Sequence, residues 1–145
     1  MMRTSHAGLT LIKRFEGFSA RPYRCPAGYM TIGYGHVVLP GEVWEDAIDE
    51  DAAGRLLAVD VMVAERAVMR FIDAIKEQAR FDALVSFTFN LGAAALQRSQ
   101  LRQAVNRGDD EAAARQWVRW VYAGGRVLPG LVARRQAELG LYFSV

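Results

Sequence analysis

A long amphipathic helix is the feature that most constrains this chain of 145 residues. From about Asp49 to Ile72, apolar residues recur at steps of three and four, the periodicity of a helix with one buried face. Those residues are Leu57, Val61, Ala64, Val68 and Phe71. At roughly 1.5 Å per residue the helix spans on the order of 30 Å. It is long enough to join a small lobe to a larger one, and the chain length fits one domain in two lobes.

The segment before this helix, from Phe18 to Gly41, does not have a helical pattern. Prolines and glycines interrupt it, and strand-forming residues lie between them. We therefore predict a small antiparallel hairpin or three-stranded sheet. A first helix is predicted over residues 4–16, because Leu9, Ile12 and Glu16 share one face and a glycine follows as the stop.

The rest of the chain is predicted to be helical. The predicted helices are Lys76–Leu91, a further helix ending at Asn106, Asp110–Tyr122, and Pro129 through Leu141, with a turn at residues 124–125. The fold class is α+β and mainly helical. We expect a single domain over residues 1–145, with a small lobe at about 15–50 and a linking helix at about 50–72. The helical lobe then takes about 73–145 together with the N-terminal helix.

Charge and cysteine content exclude several classes of function. A formal net charge of +2 is too small to indicate a nucleic-acid partner, although it permits weak contact with an anionic outer membrane. The lone Cys25 excludes an internal disulfide and suits a reducing compartment. With two histidines and no ligand spacing, neither a metal nor another cofactor is expected. We find no signal peptide and no membrane-spanning run, so we expect a cytoplasmic start.

Three residues carry the candidate chemistry. Glu16, Cys25 and Thr31 form the pattern Glu-x8-Cys-x5-Thr, and Ile32-Gly33-Tyr34-Gly35-His36 follows at once. Glu16 lies in the last turn of the predicted first helix, between two phenylalanines. The helix dipole and desolvation both favour its protonated form there, which a general acid for glycosidic cleavage requires. Taken alone, each residue has an ordinary alternative, namely a helix-end glutamate, a buried free thiol and a strand threonine.

This pattern resembles that of the phage-type lysozymes, glycoside hydrolase family 24. Two further segments, Phe87–Gly92 and Trp120–Glu138, resemble the family in the same order along the chain. The resemblance implies a lysozyme-like two-lobed fold. It also implies an endolysin that hydrolyses the β-1,4 bond between N-acetylmuramic acid and N-acetylglucosamine in peptidoglycan glycan strands. Such a protein is expected to be a monomer that waits in the host cytoplasm until a holin opens the membrane, and then acts on periplasmic peptidoglycan.

The resemblance also assigns roles in catalysis. Glu16 corresponds to the general acid, and Thr31 is expected to orient the attacking water. Cys25 stands where most members have aspartate, and a neutral thiol neither acts well as a base nor stabilises positive charge well. Inversion, retention and substrate assistance therefore stay open. We expect inversion, with water held by Thr31 and Cys25, by analogy alone.

Further residues receive roles in the same way. The expected substrate contacts are Phe89, Asn90 and Tyr34. His36 is expected to be structural, packed behind the site and hydrogen-bonded to an acid. Arg134 and Arg135 are expected to pair with the small lobe and hold the two lobes together.

Two other functions stay open at this point. One is a lytic transglycosylase, in which Glu16 acts alone and the muramic acid 6-hydroxyl closes an anhydro ring. The absence of a carboxylate at Cys25 keeps this reading open. The other is a non-catalytic protein that binds cell wall or membrane. It predicts that Glu16→Gln retains full killing of permeabilised cells.

Overall fold

Side-chain caps fix where four of the helices begin in the computed structural model, which describes all 145 residues. The capped helices are α1 (His6–Glu16), α2 (Glu50–Phe71), α5 (Gln100–Asn106) and α6 (Asp110–Trp117). In each, a serine or aspartate directly before the helix accepts a hydrogen bond from a backbone N–H group of the first turn. The remaining helices are α3 (Gln78–Leu91), α4 (Ala93–Arg98) and α7 (Pro129–Tyr142).

The Gly- and Pro-rich segment after α1 folds as a three-stranded antiparallel sheet. Its strands, in spatial order, are β1 (Ser19–Arg24), β2 (Met30–Gly33) and β3 (His36–Val37). Thr31 in β2 pairs with Tyr23 of β1 on one side and Val37 of β3 on the other. A second, two-stranded sheet consists of β4 (Tyr122–Ala123) and β5 (Arg126–Val127).

Helix α3 lies at the centre of the helical part. Every residue from Phe81 to Thr88 is buried, and α1, α2 and α7 pack around it. Trp117 adds an aromatic cluster, with its ring 5.7 Å from that of Phe87 and 5.0 Å from that of Tyr142. Such tilted and edge-to-face pairs add to the stability that burial of apolar surface provides.

The structure confirms the mainly helical α+β class and the long helix, and it corrects the helix pattern at two places. The helix predicted to run to Asn106 is divided at Ser99, whose hydroxyl caps α5. The helix predicted to reach Tyr122 ends at Trp117, and residues 122–127 form the β4–β5 hairpin instead. Both glycines of its turn have positive φ angles, which glycine adopts without strain. No helix combines the length and apolarity that crossing a bilayer requires.

Two buried carboxylates anchor the N-terminal segment. Glu65 of α2 accepts hydrogen bonds of 2.7 Å from both the backbone N–H and the hydroxyl of Thr4. Asp82 of α3 accepts hydrogen bonds from the backbone N–H and the hydroxyl of Ser5. Both acids are at least 97 % buried, so these bonds satisfy charges that would otherwise be costly to hold there. Gly8 packs directly over Asp82, which lets α1 approach α3 closely.

We expect Gly8→Ala to destabilise the protein by roughly 1–3 kcal/mol, because the added methyl group overpacks a filled site. Its Cβ would lie 2.7 Å from atoms of Asp82 and Thr4. Gly54→Ala in α2 is the matched control, since its Cβ would meet only the flexible end of Lys13, at 3.5 Å. That control should gain up to about 1 kcal/mol from helix propensity. Urea unfolding measures both, and a Gly8→Ala variant as stable as the wild type would contradict the packing argument.

Candidate active site

Glu16 is placed by the end of α1 and by the close approach of a glycine. Gly17, with φ 74°, ends the helix and turns the chain into β1. Gly35, just before β3, has φ 80°, and a Cβ at that position would lie 2.7 Å from Glu16 Oε1. Only glycine combines this backbone conformation with this approach. The Glu16 side chain keeps 22 % of its surface exposed, so it is reachable from solvent.

A cleft of ≈ 390 Å³ opens beside Glu16. The sheet side of its wall comes from the end of the β2–β3 connection and from β3, and the helical side comes from α2 and the end of α3. The lining residues are Glu16, Gly35, His36, Val37, Leu39, Asp60, Phe89 and Asn90. A concave site with several polar groups and a few apolar ones is typical of a ligand-binding pocket.

Arg134 of α7 holds the Glu16 carboxylate in place. Its Nη1 atom lies 2.6 Å from Glu16 Oε2, and the guanidinium is almost fully buried. The same guanidinium donates to the backbone carbonyl of Ser86 at 3.2 Å and lies 3.3 Å from Glu138 Oε2. This ion pair joins the end of α1 to α7, and it fixes the orientation of the carboxylate towards the cleft.

Glu138 is the buried partner that keeps Arg134 in this position. Its oxygens accept hydrogen bonds from the Ser86 hydroxyl at 2.5 Å and from Trp117 Nε1 at 3.1 Å. Arg135 Nε lies 2.8 Å from Glu138 Oε1. A fully buried carboxylate is tolerated only with this degree of pairing. The network links α3, α6 and α7 directly to the residue at the end of α1.

His36 lies between two carboxylates on the sheet side of the cleft. Its Nδ1 atom is 2.7 Å from Asp60 Oδ2, and its Nε2 atom is 3.1 Å from Glu42 Oε1. Burial acts to lower the pKa of His36, but the hydrogen bonds and charges of Asp60 and Glu42 outweigh it and raise the pKa above its ordinary value. The pKa of Glu42 is lowered, first by the Leu39 backbone N–H and then by His36. His36 thus links α2 to the loop after β3.

Cys25 lies on the turn between β1 and β2, and Thr31 lies close to it on β2. The hydrogen bond from the backbone of Tyr29 is the main cause of a lowered Cys25 pKa, against the weaker opposing effect of partial burial. The backbones of Ala27 and Gly28 and the Thr31 hydroxyl lower this pKa further. The thiolate is therefore stabilised by backbone N–H groups and a hydroxyl rather than by a neighbouring cation. Neither residue lines the cleft beside Glu16.

Of the three predicted substrate contacts, two line the cleft and one does not. Phe89 and Asn90 line the cleft as expected for substrate contacts. Asn90 Oδ1 accepts a hydrogen bond of 2.8 Å from Arg135, and its amide nitrogen has no partner within the chain. Tyr34 is buried beside Lys13, away from the cleft lining, and burial followed by the charge of an α2 acid raises its pKa. Tyr34 thus lies outside the cleft lining, and its contact with substrate stays a prediction.

Arg134 and Arg135 differ in what they join. Arg134 reaches Glu16 at the junction with the sheet, whereas Arg135 contacts Glu138, Asn90 and the Trp120 carbonyl, all within the helical part. Arg135 thus ties α7 to α3 rather than the sheet to the helices. Adjacent arginines on a helix point in different directions, so the Arg-Arg pair in the sequence did not reveal which one would reach the sheet.

Three cleft or network residues were missed by the sequence reasoning. Asp60 and Glu42 pair with His36, and Glu138 pairs with both arginines. Glu138 falls three and four residues after the arginines, a spacing that places it on the same helix face. That signal was available from the sequence. Asp60 lies on α2 as a single acid in an otherwise apolar and basic stretch, which was a weaker signal.

Comparison of the chain with known proteins gives a family match and several similar endolysins. The model of the family described as "Phage lysozyme" matches residues 13–138. An endolysin of Bacillus phage B103 is 40 % identical over 99 % of this chain, which spans 55 % of that relative's length. An endolysin of Acyrthosiphon pisum secondary endosymbiont phage 1 is 37 % identical, with 99 % of both chains covered. The solved endolysin from Escherichia coli O157:H7 phage FAHEc1 is similar with a TM-score of 0.89 and 34 % identity, covering 99 % of this chain and 94 % of that one.

We expect the contribution of His36 to stability to depend on pH. A raised folded-state pKa means that this contribution is fully present below the unfolded value of 6.5 and is lost as the pH rises through the folded value. His36→Asn should therefore cost roughly 2 kcal/mol at about pH 5.5, the range for charged hydrogen bonds, and clearly less at about pH 9. Thermal unfolding of both proteins at the two pH values measures the difference. A pH-independent difference would contradict the ion-pair account.

Proposed function

Because this chain belongs to the phage lysozyme family, we propose that it is an endolysin that hydrolyses the β-1,4 bond between N-acetylmuramic acid and N-acetylglucosamine in peptidoglycan. One observation carries the proposal. A carboxylate at the end of α1 lies at the wall of an open cleft, where a buried arginine binds it and the positive-φ glycine Gly35 makes room for it. That is the arrangement needed to deliver a proton to one defined atom of a bound glycan.

Glu16 is the proposed general acid. Cleavage needs a proton on the leaving glycosidic oxygen, and the oxocarbenium-like sugar that develops needs stabilisation by negative charge or attack by water. In the free protein the ion pair with Arg134 attracts the ionised carboxylate. A glycan that fills the cleft excludes water from Glu16, and desolvation favours the protonated form. Arg134 keeps the carboxylate oriented during this change, so it is a positioning residue.

Cys25 and Thr31 are proposed to act on the water side of the reaction. The lowered pKa of Cys25 increases the fraction of thiolate, and a thiolate can accept a proton from water, which a neutral thiol does poorly. The Thr31 hydroxyl lies 3.2 Å from the Tyr29 carbonyl oxygen and within hydrogen-bonding reach of the thiol, so it can bind and direct the same water. We propose inversion at the anomeric carbon on this basis.

Phe89 and Asn90 are proposed to bind the glycan on the helical side. The unpartnered amide nitrogen of Asn90 can donate to a sugar hydroxyl or to an acetamido carbonyl, and the half-buried Phe89 offers an apolar face. We further propose that a monomer acts on periplasmic peptidoglycan after a holin opens the cytoplasmic membrane. The weak positive charge is compatible with transient contact with an anionic outer membrane.

Glu16→Gln should lower the rate of clearing of purified peptidoglycan by roughly 10²–10⁴-fold, the usual contribution of a general acid. Glu45→Gln, at an exposed loop position, is the matched control and should clear at the wild-type rate. Mass spectrometry of the soluble products should show reducing ends. Anhydro products would replace hydrolysis with transglycosylation, and equal clearing by wild type and Glu16→Gln would exclude Glu16 as the acid.

Cys25→Asp should keep or raise the clearing rate, and Cys25→Ala should lower it less than Glu16→Gln does. If the thiolate is the active form, the wild-type rate rises with pH through the lowered Cys25 pKa. In Cys25→Asp that rise should move to lower pH, since the ordinary aspartate pKa is about 3.9. The measurement is the pH profile of all three proteins. Complete loss of activity in Cys25→Asp would show that the sulfur itself is required.

A further inference from the structure

The exposed side of α2 carries a stripe of three arginines and two valines. Arg55, Val59, Val63, Arg66 and Arg70 follow one another at steps of three and four, which places them on one stripe. All five are exposed, and Val59 and Val63 keep 65 % and 60 % of their surface in water. The stripe runs over roughly 20 Å at the ordinary rise per residue. We call these five residues the α2 outer face.

The three arginines of the α2 outer face have no acidic partner. None of them forms an ion pair within the chain, whose salt bridges involve other residues. Among the acids of α2, Asp60 binds His36 and Glu65 binds Thr4. Asp51 lies one turn before Arg55, at the end of the stripe, and forms no ion pair with it. The α2 outer face therefore carries three positive charges and no negative one, while the protein as a whole carries only +2.

A partly apolar groove lies beside the stripe. It has a volume of ≈ 510 Å³ and runs between α2 and the start of α4. Its lining residues are Val63, Arg66, Ala67, Arg70, Phe71, Ala93, Ala94 and Gln97. Five of these eight are hydrophobic, and the two arginines are members of the α2 outer face. Apolar surface and unpaired positive charge thus meet at one place.

We propose that the α2 outer face is a docking surface for an anionic phospholipid bilayer. Two exposed valines with arginines on both sides match the headgroup region, where phosphates pair with guanidinium groups and valines enter the acyl boundary. A soluble polyanion would bind the same arginines, but it would gain nothing from two exposed valines. The combination of both features therefore favours a lipid surface over an anionic polymer.

The position of the α2 outer face leaves the cleft open. Asp60, the α2 residue that lines the cleft, lies roughly 100° around the helix from the middle of the stripe, at 3.6 residues per turn. A bilayer in contact with the stripe would therefore face the flank of the molecule. The cleft remains free for a glycan strand while the outer face is bound. Docking on lipid and binding of glycan are thus compatible.

The test is flotation of the protein with vesicles of phosphatidylcholine, with and without phosphatidylglycerol. Wild type should bind the vesicles that contain phosphatidylglycerol and should dissociate as salt is raised. The triple variant R55Q/R66Q/R70Q should bind roughly a hundredfold more weakly, at about fivefold for each arginine. Its clearing of purified peptidoglycan should be unchanged, since no member of the outer face lines the cleft. Equal vesicle binding by wild type and triple variant would overturn the proposal.

Two controls separate a specific face from a general charge effect. R21Q/R115Q/R126Q removes the same three charges from exposed positions elsewhere and should keep most of the vesicle binding. An equal loss in that variant would overturn the assignment to α2. V59S/V63S should weaken binding to vesicles but leave binding to polyphosphate unchanged. If it leaves both unchanged while the arginine variant loses both, the face binds polyanions and the lipid assignment is wrong.

Discussion

A buried carboxylate with two arginines controls the position of the proposed proton donor and of Asn90 at the candidate site. Glu138 has no exposed surface, and a carboxylate in such a place is stable only because four donors surround it. Its two guanidinium neighbours carry one positive charge more than Glu138 can balance. Arg134 reaches out of the core to Glu16, which supplies the missing negative charge. Arg135 extends the same network to Asn90 on the opposite wall of the cleft.

The sequence predicted those helices and strands that have a clear local pattern, such as helical periodicity or a high density of glycine and proline. Helix α2 shows a strong period and an aspartate cap, and the sheet region is dense in glycine and proline, so both were found with nearly correct bounds. The division at Ser99 was missed because apolar residues continue through it and serine is compatible with a helix interior. The β4–β5 hairpin was missed because two-residue strands produce no periodicity. Only its glycine pair was visible, and it was correctly placed in a turn.

The candidate site was predictable only in part, for a related reason. Its place at the end of a predicted helix and the residue spacing indicated Glu16, and the family resemblance alone indicated the cleft residues Phe89 and Asn90. The ion pair between Glu16 and Arg134 joins residues 118 positions apart, and no local pattern encodes such a contact. Tyr34 was predicted to contact substrate, but it does not line the cleft. The glycines on both sides of Tyr34 allow its ring to point towards the cleft or towards the interior. In the structure the ring is buried and packs beside Lys13.

Glu16 lies at the junction between the sheet and the helical part. The three-stranded sheet is joined to the helical part through Gly17 on one side and through the 22 residues of α2 on the other. Glu16 is adjacent to that glycine and is held by Arg134. Glu16 is therefore fixed from two sides, through the backbone by the turn at Gly17 and through its side chain by Arg134. The proton donor thus belongs to the helical part of the molecule, whereas the groups proposed to handle water belong to the sheet.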